Sequence, residues 1–403
     1  MLCCLVYSFA YVGRYSYNAN IGAILAYYGV TRADAGMVST FFFFSYGAGQ
    51  LIHALLCKFY PKKYVIPSVL LLSSILNLSL FFLPSFACFK YLWLLNGICQ
   101  SVLWPVLTMT IGETIDGSLM KRAVLLMSMS VLIGTFLSYG GGALFNLFGG
   151  FRFSFLLGTV FMTAIGLIWL LSYSVLTADS SVERRDDIST DASSQKRSPL
   201  GALVGLLAVC ALFAVVDNLV KDGLNTWTPV ILKEQFGFED SISIVLTLVL
   251  PVFGVFGSVV ALQINRFIKD FRGLIGFFYL LLSGCLLGLI LALRVNAVIL
   301  TLVCFGIISC LTHGINSVLT SIMPLSLREQ ANSGFLAGLL NSFCYVGSTV
   351  SAYGLGKLAD RSGWGSVMWI LLAISGSATL LAGGVTAFKL LHKHTQNGVK
   401  EKK

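Results

Sequence analysis

Residues 217–229 read DNLVKDGLNTWTP, with three ionisable side chains and two amides inside nine positions. They interrupt a 403-residue chain that is 57% apolar and only 11% charged, with a mean hydropathy of +0.86. Soluble globular chains carry about 25% charged residues. Stretches such as 64–84, 91–111, 153–176, 200–216 and 274–293 are long, apolar and almost uncharged. A helix needs about 20 such residues to cross the hydrocarbon core. The short apolar–polar alternation of a membrane β-barrel is missing. The chain therefore reads as an all-α polytopic membrane protein, and 217–229 places charge where a charge costs about 2.5–3.5 kcal/mol at the bilayer centre. Such residues mark a site or a pathway.

Working outward, the pattern predicts twelve transmembrane helices, near 1–28, 34–57, 63–84, 88–111, 121–148, 152–176, 200–231, 241–265, 272–293, 296–322, 331–356 and 364–391. The start, MLCCLVYSFAY, has no basic lead of the kind a signal peptide carries, so the first span is expected to begin at once. One hydrophilic break, 177–199, is rich in Ser and Asp and reads as a mobile linker. It divides the chain into a six-helix bundle at 1–176, the linker, a second six-helix bundle at 200–391 and a basic tail at 392–403. With the linker and tail on the cytoplasmic side, most of the 27 Lys and Arg residues fall on that side, as the positive-inside rule requires. The net charge of +10 is spread over short loops and is a topology signal, not a nucleic-acid surface.

The two halves echo each other. Arg14 is followed four residues on by Asn18, and Lys221 by Asn225, at an offset of 207. Gly47 falls on Gly254 and Thr40 on Thr247 at the same offset, and YGGG at 139–142 answers YGLG at 353–356. A duplicated six-helix unit with its site between the repeats is a transporter plan. Tyr7, Tyr11, Arg14 and Asn18 share one helical face. There a guanidinium flanked by phenols and an amide offers aimed donors to an anion. Lys221 takes the corresponding place in the seventh span, with Asp217 four residues before it at ion-pair spacing and Asn225 four after. Asp222 points about 100° away from Lys221. Asp217 and Asp222 are the candidates for carrying a coupling proton. Tyr46 and Gln50, at i and i+4, and His313, with Asn316 nearby, complete the polar set. Pro105, Pro229, Pro251 and Pro324 are expected to kink or end helices. Gly134, Gly140 to Gly142, Gly254 and Gly257 are expected to admit close helix approach.

These residues resemble the major facilitator superfamily, and within it the organophosphate:phosphate antiporter branch that includes glycerol-3-phosphate and hexose-phosphate transporters. The resemblance runs through nearly the whole chain. It is strongest in YVGRYSYN and YYGVTRADAGMVST of spans 1–2, GICQSVLWPVLTM of span 4, DGLNTWTPVILKE of span 7, and GLLNSFCYVGSTVSAYGLGKLADRSGW of spans 11–12. It implies two pseudo-symmetric six-helix bundles and exchange by rocker-switch alternating access. It also implies an arginine from each of spans 1 and 7 on the substrate phosphate. Arg14 matches the first of these, and Tyr7, Tyr11 and Tyr46 match tyrosines beside it. Lys221 stands at the second and lacks the bidentate fork of arginine. Gln50 replaces the family's span-2 lysine, Ile133 its span-5 histidine, and Cys57 the usual loop aspartate.

The expected function is a secondary transporter of a small polar anion, an organic phosphate or a carboxylate metabolite. Arg14, Lys221, Tyr7, Tyr11, Asn18, Tyr46, Gln50, Asn225 and His313 bind the solute, and inorganic phosphate or a proton is the counter- or co-ion. Two alternatives accompany it. One is a proton-coupled exporter of neutral or cationic compounds, with Lys221 locked to Asp217. The other is a non-transporting sensor that keeps the fold. No Walker loop, nucleophile elbow or metal-ligand cluster occurs, so no enzyme activity, cofactor, metal or disulfide is expected. The chain is expected to act as a monomer in the cell membrane.

Overall fold

The computed structural model describes residues 1–82, 85–114, 117–178, 200–327 and 333–400. Within these the regular structure is helical. In the first half α1 (Leu2–Ala19), α2 (Ile21–Tyr28), α3 (Arg32–Leu56), α4 (Lys62–Phe81), α5 (Phe86–Ser101), α6 (Leu103–Thr114), α7 (Gly117–Phe148) and α8 (Arg152–Ala178) follow one another. The second half holds α9 (Leu200–Phe236), α10 (Asp240–Thr247), α11 (Val249–Ile264), α12 (Phe271–Arg294), α13 (Val298–Ser317), α14 (Met323–Ser326) and α15 (Ser333–Lys400). Of the expected linker, residues 179–199 lie outside the described residues, as do 401–403 of the expected tail.

Ten helical stretches in the described residues are long and apolar enough to span a membrane. The last, Leu336–Val385, counts twice, because Gly363 (φ 72°, ψ 171°) breaks α15 between spans 11 and 12. The first span, α1 with α2, falls short on hydropathy because it carries Arg14, Asn18 and Asn20 and breaks at Asn20. Twelve spans result, as the sequence predicts.

Proline explains much of the local geometry. It removes a backbone donor and clashes with the preceding turn. Span 4 breaks at Val102, three residues before Pro105, and span 8 at Leu248, three before Pro251. Span 10 widens to a π-helix over Val318–Ile322 just before Pro324. Pro229 differs from expectation: it lies inside an uninterrupted α9.

The packing repeats itself. In the first half α1 packs on α7, α3 on α5 and α4 on α8; six spans later α9 packs on α15, α11 on α13 and α12 on α15. The two larger seams between the halves are α3 against span 11 of α15 and α7 against α10, related to each other by the repeat, and α1 and α2 also touch α9. Glycine makes the first seam close. A Cβ on Gly36 would sit 2.2 Å from the Ala352 carbonyl oxygen, so only hydrogen fits there. Gly134 does the same between α7 and α1, against the Ser8 carbonyl at 2.3 Å. Gly140, expected at a close approach, faces open space instead.

Candidate functional site

Both halves line a cavity of about 750 Å³. Its wall reaches the linker end of the bundle, where Ala54 and Cys57 close α3, and runs inward along Tyr7, Tyr11, Gln50 and Trp104. The second half supplies Asn316, Thr320, Asn341 and Tyr345. Among the described residues this wall holds aromatic rings, amides and hydroxyls and no charged side chain. The rings form a connected sheath: Tyr7 lies 5.0 Å from Trp104 and 5.0 Å from Tyr11, and Tyr46 lies 4.9 Å from Tyr345 across the halves. Gln50 Oε1 accepts a hydrogen bond from Asn341 Nδ2 at 2.6 Å, also across the halves.

Arg14 sits one turn beyond Tyr11, does not line the cavity and is 7% exposed. Its guanidinium lies over Tyr46 at 4.4 Å, Phe42 at 4.9 Å, Tyr11 at 5.1 Å and Tyr15 at 5.9 Å. Its Nη1 donates a long hydrogen bond to Tyr11 Oη at 3.4 Å. No carboxylate pairs with it among the described residues. Withdrawing an ion from water costs several kcal/mol. Each ring face returns about 0.5–2 kcal/mol. The aromatic cage thus holds the cation without neutralising it. The Tyr46 hydroxyl beside it is buried and faces the Tyr7 and Tyr345 side chains.

The second half places its charges differently. Lys221 is partly buried and forms no ion pair among the described residues. The Asp217–Lys221 pair that the spacing allows is not made: the Asp217 carboxyl is fully buried and neither oxygen has a partner. Asp222 accepts from the Ser348 hydroxyl on α15.

The remaining sequence candidates divide by role. Tyr7, Tyr11 and Gln50 line the cavity, whereas Arg14, Tyr46 and Lys221 do not. Asn18 bridges the halves, its Nδ2 donating to Thr226 Oγ1 at 3.4 Å while its Oδ1 accepts from Ser39 Oγ at 2.9 Å. Asn225 offers its backbone carbonyl to the Tyr139 hydroxyl at 3.3 Å. His313 Nδ1 donates to the Ser309 carbonyl of its own helix at 2.8 Å, and its ring fills the space left by Gly254 and Gly257. Sequence reasoning missed Asn341 and Tyr345 of the wall. Their i, i+4 spacing on span 11 mirrors Tyr46 and Gln50 on span 2, and that was the available signal.

The opposite end is closed by a charge cluster between the halves. Arg32 of α3 pairs with Glu234 of α9 at 2.7 Å and with Asp360 of α15 at 3.0 Å. Asp360 also accepts the backbone N–H of Arg32 and of Ala33, so one half caps a helix of the other. Trp364 Nε1 donates to Glu234 at 2.7 Å. Deeper in, Trp227 Nε1 donates to the Ala352 carbonyl at 3.1 Å, and Thr40 Oγ1 to the Thr349 carbonyl at 2.9 Å.

Comparison with known proteins gives the same architecture. The family model of the Major Facilitator Superfamily matches residues 3–321. The chain is 22% identical to the membrane sensor protein UhpC of Escherichia coli (strain K12), over 94% of this chain and 89% of that protein. It is also 22% identical to a probable hexose phosphate transport protein of Chlamydia pneumoniae, over 93% and 88%. Among solved structures, a bacterial homologue of the human lysosomal transporter Spinster, in an inward-facing and occupied conformation, matches with a TM-score of 0.72 at 15% identity, covering 95% of each chain. A D-xylose–proton symporter matches with a TM-score of 0.70 at 13% identity, covering 94% of this chain and 95% of that one. With its twelve spans in two matching sixes and the family model spanning most of its length, the protein belongs to the major facilitator superfamily of membrane transporters.

Proposed function

We propose that the protein is a secondary transporter of a small polar anion, working by alternating access between the linker side and the Arg32 side. The observation that carries this is Arg14: a buried cation with no carboxylate partner among the described residues, stacked on the Tyr46 ring beside a neutral cavity wall. Tyr11, which lines the cavity and accepts the Arg14 hydrogen bond, stands between an entering anion and this uncompensated charge. Lys221, likewise without an ion pair, supplies the charge from the second half. The similarity to a probable hexose phosphate transport protein favours an organic phosphate within the anion class. The halves are the bundles 1–176 and 200–391, and the basic loops put the linker end in the cytoplasm. Membrane insertion there corresponds to the cell membrane, and the chain acts as a monomer.

The test is counterflow in proteoliposomes loaded with inorganic phosphate, against a panel of labelled phosphate esters and carboxylates. Uptake of one member, lost in Arg14→Gln and reduced in Lys221→Gln, is the expected result. Equal uptake by wild type and Arg14→Gln would overturn the assignment. A second reading, a sensor that binds the same anion without moving it, rests on the sensor named among the relatives. Saturable binding with no counterflow would select it. The exporter reading needs Lys221 locked to Asp217, and that pair is not formed.

A further inference from the structure

The Asp217 carboxyl is 0% exposed, with both oxygens lacking a hydrogen-bond partner. No other carboxyl group among the described residues has both oxygens orphaned in this way. An ionised carboxylate with no donor is among the costliest groups a membrane span can hold. A cation that would neutralise it, Lys221, stands four residues on along the same helix, on the same face, yet leaves it alone. The carboxyl thus stands without a donor or a counter-ion contact, while Lys221, within electrostatic reach of Asp222 and Asp217, forms no ion pair with either.

We propose that Asp217 is a proton site whose occupancy controls Lys221, so that one proton travels with the anion in the same direction. This rests on the anion-transport reading above. With the proton on Asp217, Lys221 keeps its charge for the anion. When the carboxyl gives its proton to water, Asp217 becomes an internal counter-ion four residues from Lys221 and competes with the anion. The anion is thus held more tightly at acid than at alkaline pH. By reciprocity the bound anion holds the proton on Asp217.

The surroundings distinguish Asp217 from the other ionisable groups. Asp222, on the same helix, already has the Ser348 hydroxyl as a donor. From α12, Tyr279 faces Asp217 but donates its own hydroxyl to the Phe213 carbonyl at 2.7 Å. From α15, Cys344 faces both Asp217 and Lys221 as a neutral thiol. From α13, His313 is within electrostatic reach of Lys221 and Asp222 and is tied to the Ser309 carbonyl. From α1, Tyr11 is in reach of Lys221. Among the described carboxyl groups, only Asp217 combines complete burial with an absence of donors.

The experiment is an acid-minus-alkaline infrared difference spectrum of the full chain in lipid, with no solute added. The expected spectrum has a carbonyl band of a protonated carboxyl that disappears in Asp217→Asn and survives in Asp222→Asn. In Lys221→Met the same band persists to more alkaline pH, because the competing cation is gone. A wild-type spectrum lacking any band sensitive to Asp217→Asn overturns the proton site. A band unmoved by Lys221→Met overturns the control of the lysine. If counterflow fails for every anion while the band behaves as expected, the anion reading falls and the proton site stands. Where counterflow succeeds, Asp217→Asn is expected to keep exchange and to lose accumulation driven by a pH gradient; retained accumulation overturns the coupling.

Discussion

At the residue scale, Arg14 was legible from its sequence alone, because an arginine amid YVGRYSYN has no near interface to reach. What the sequence does not carry is the set of groups around it. Phe42 and Tyr46 arrive from α3 and close the cage, and that depends on how two spans cross. Charge-assisted hydrogen bonds are worth about 1.5–3 kcal/mol, so Arg14→Gln is expected to weaken anion binding roughly ten- to hundredfold. Quenching of Trp104 fluorescence, in the cavity wall 5.0 Å from Tyr7, provides the reading. Arg14→Lys keeps the charge but loses the planar fork that stacks on the rings, and an intermediate loss is expected in the same titration. The Asp217–Lys221 pair shows the opposite lesson. Spacing says which side chains share a face; it does not say which protonation state the interior favours.

At the element scale, twelve apolar runs made the spans readable, and proline placed most of the breaks within them. Pro229 escaped the rule because α9 absorbs it without a change of direction large enough to break the helix. Which helices cross the seam was not readable, since lipid-facing and partner-facing residues are equally apolar. Of the glycines singled out in the sequence for close approach, those that pack do so within one half, and the seam rests on others, of which Gly36 is the sharpest case. A side chain there must push α3 away from α15, where the Ala352 carbonyl lies 2.2 Å from the Cβ position. Overpacking of this kind costs about 1–3 kcal/mol. Gly36→Val is therefore expected to unseal the Arg32 end. A maleimide reagent too polar to cross lipid, applied to a Thr40→Cys probe, should react faster in the Gly36→Val background than without it. Equal rates would show that this crossing does not seal that end.

At the scale of the whole molecule, the closed end is held by few bonds of moderate strength. Arg32, Glu234 and Asp360 are 30%, 33% and 22% exposed at their side chains, so water screens them, and each pair is worth about 1 kcal/mol or less. Arg32→Ala removes both pairs together and is expected to shift the balance of the two conformations severalfold toward opening at that end. Distance measurements between spin labels on the two halves read the shift directly. High salt is expected to move the wild-type distribution the same way and the Arg32→Ala distribution hardly at all. None of these three residues was singled out by sequence reasoning. Each looks like an ordinary loop charge until the two halves are brought together.

The distance between this cluster and the aromatic cage has a consequence for how such a carrier changes over generations. Resting preference is written at the rim and chemical taste at the centre, with several helical turns of seam between them. A single substitution at Arg32, Glu234 or Asp360 is expected to retune how long the carrier waits on each side and to leave untouched which solute it accepts. Changes at Tyr7 are expected to do the reverse, whereas Gln50 and Asn341, bonded to each other across the halves, are expected to touch both. Speed and selectivity are thus separately heritable in one chain, and a lineage facing a new supply of solute can adjust its pace before it alters its diet.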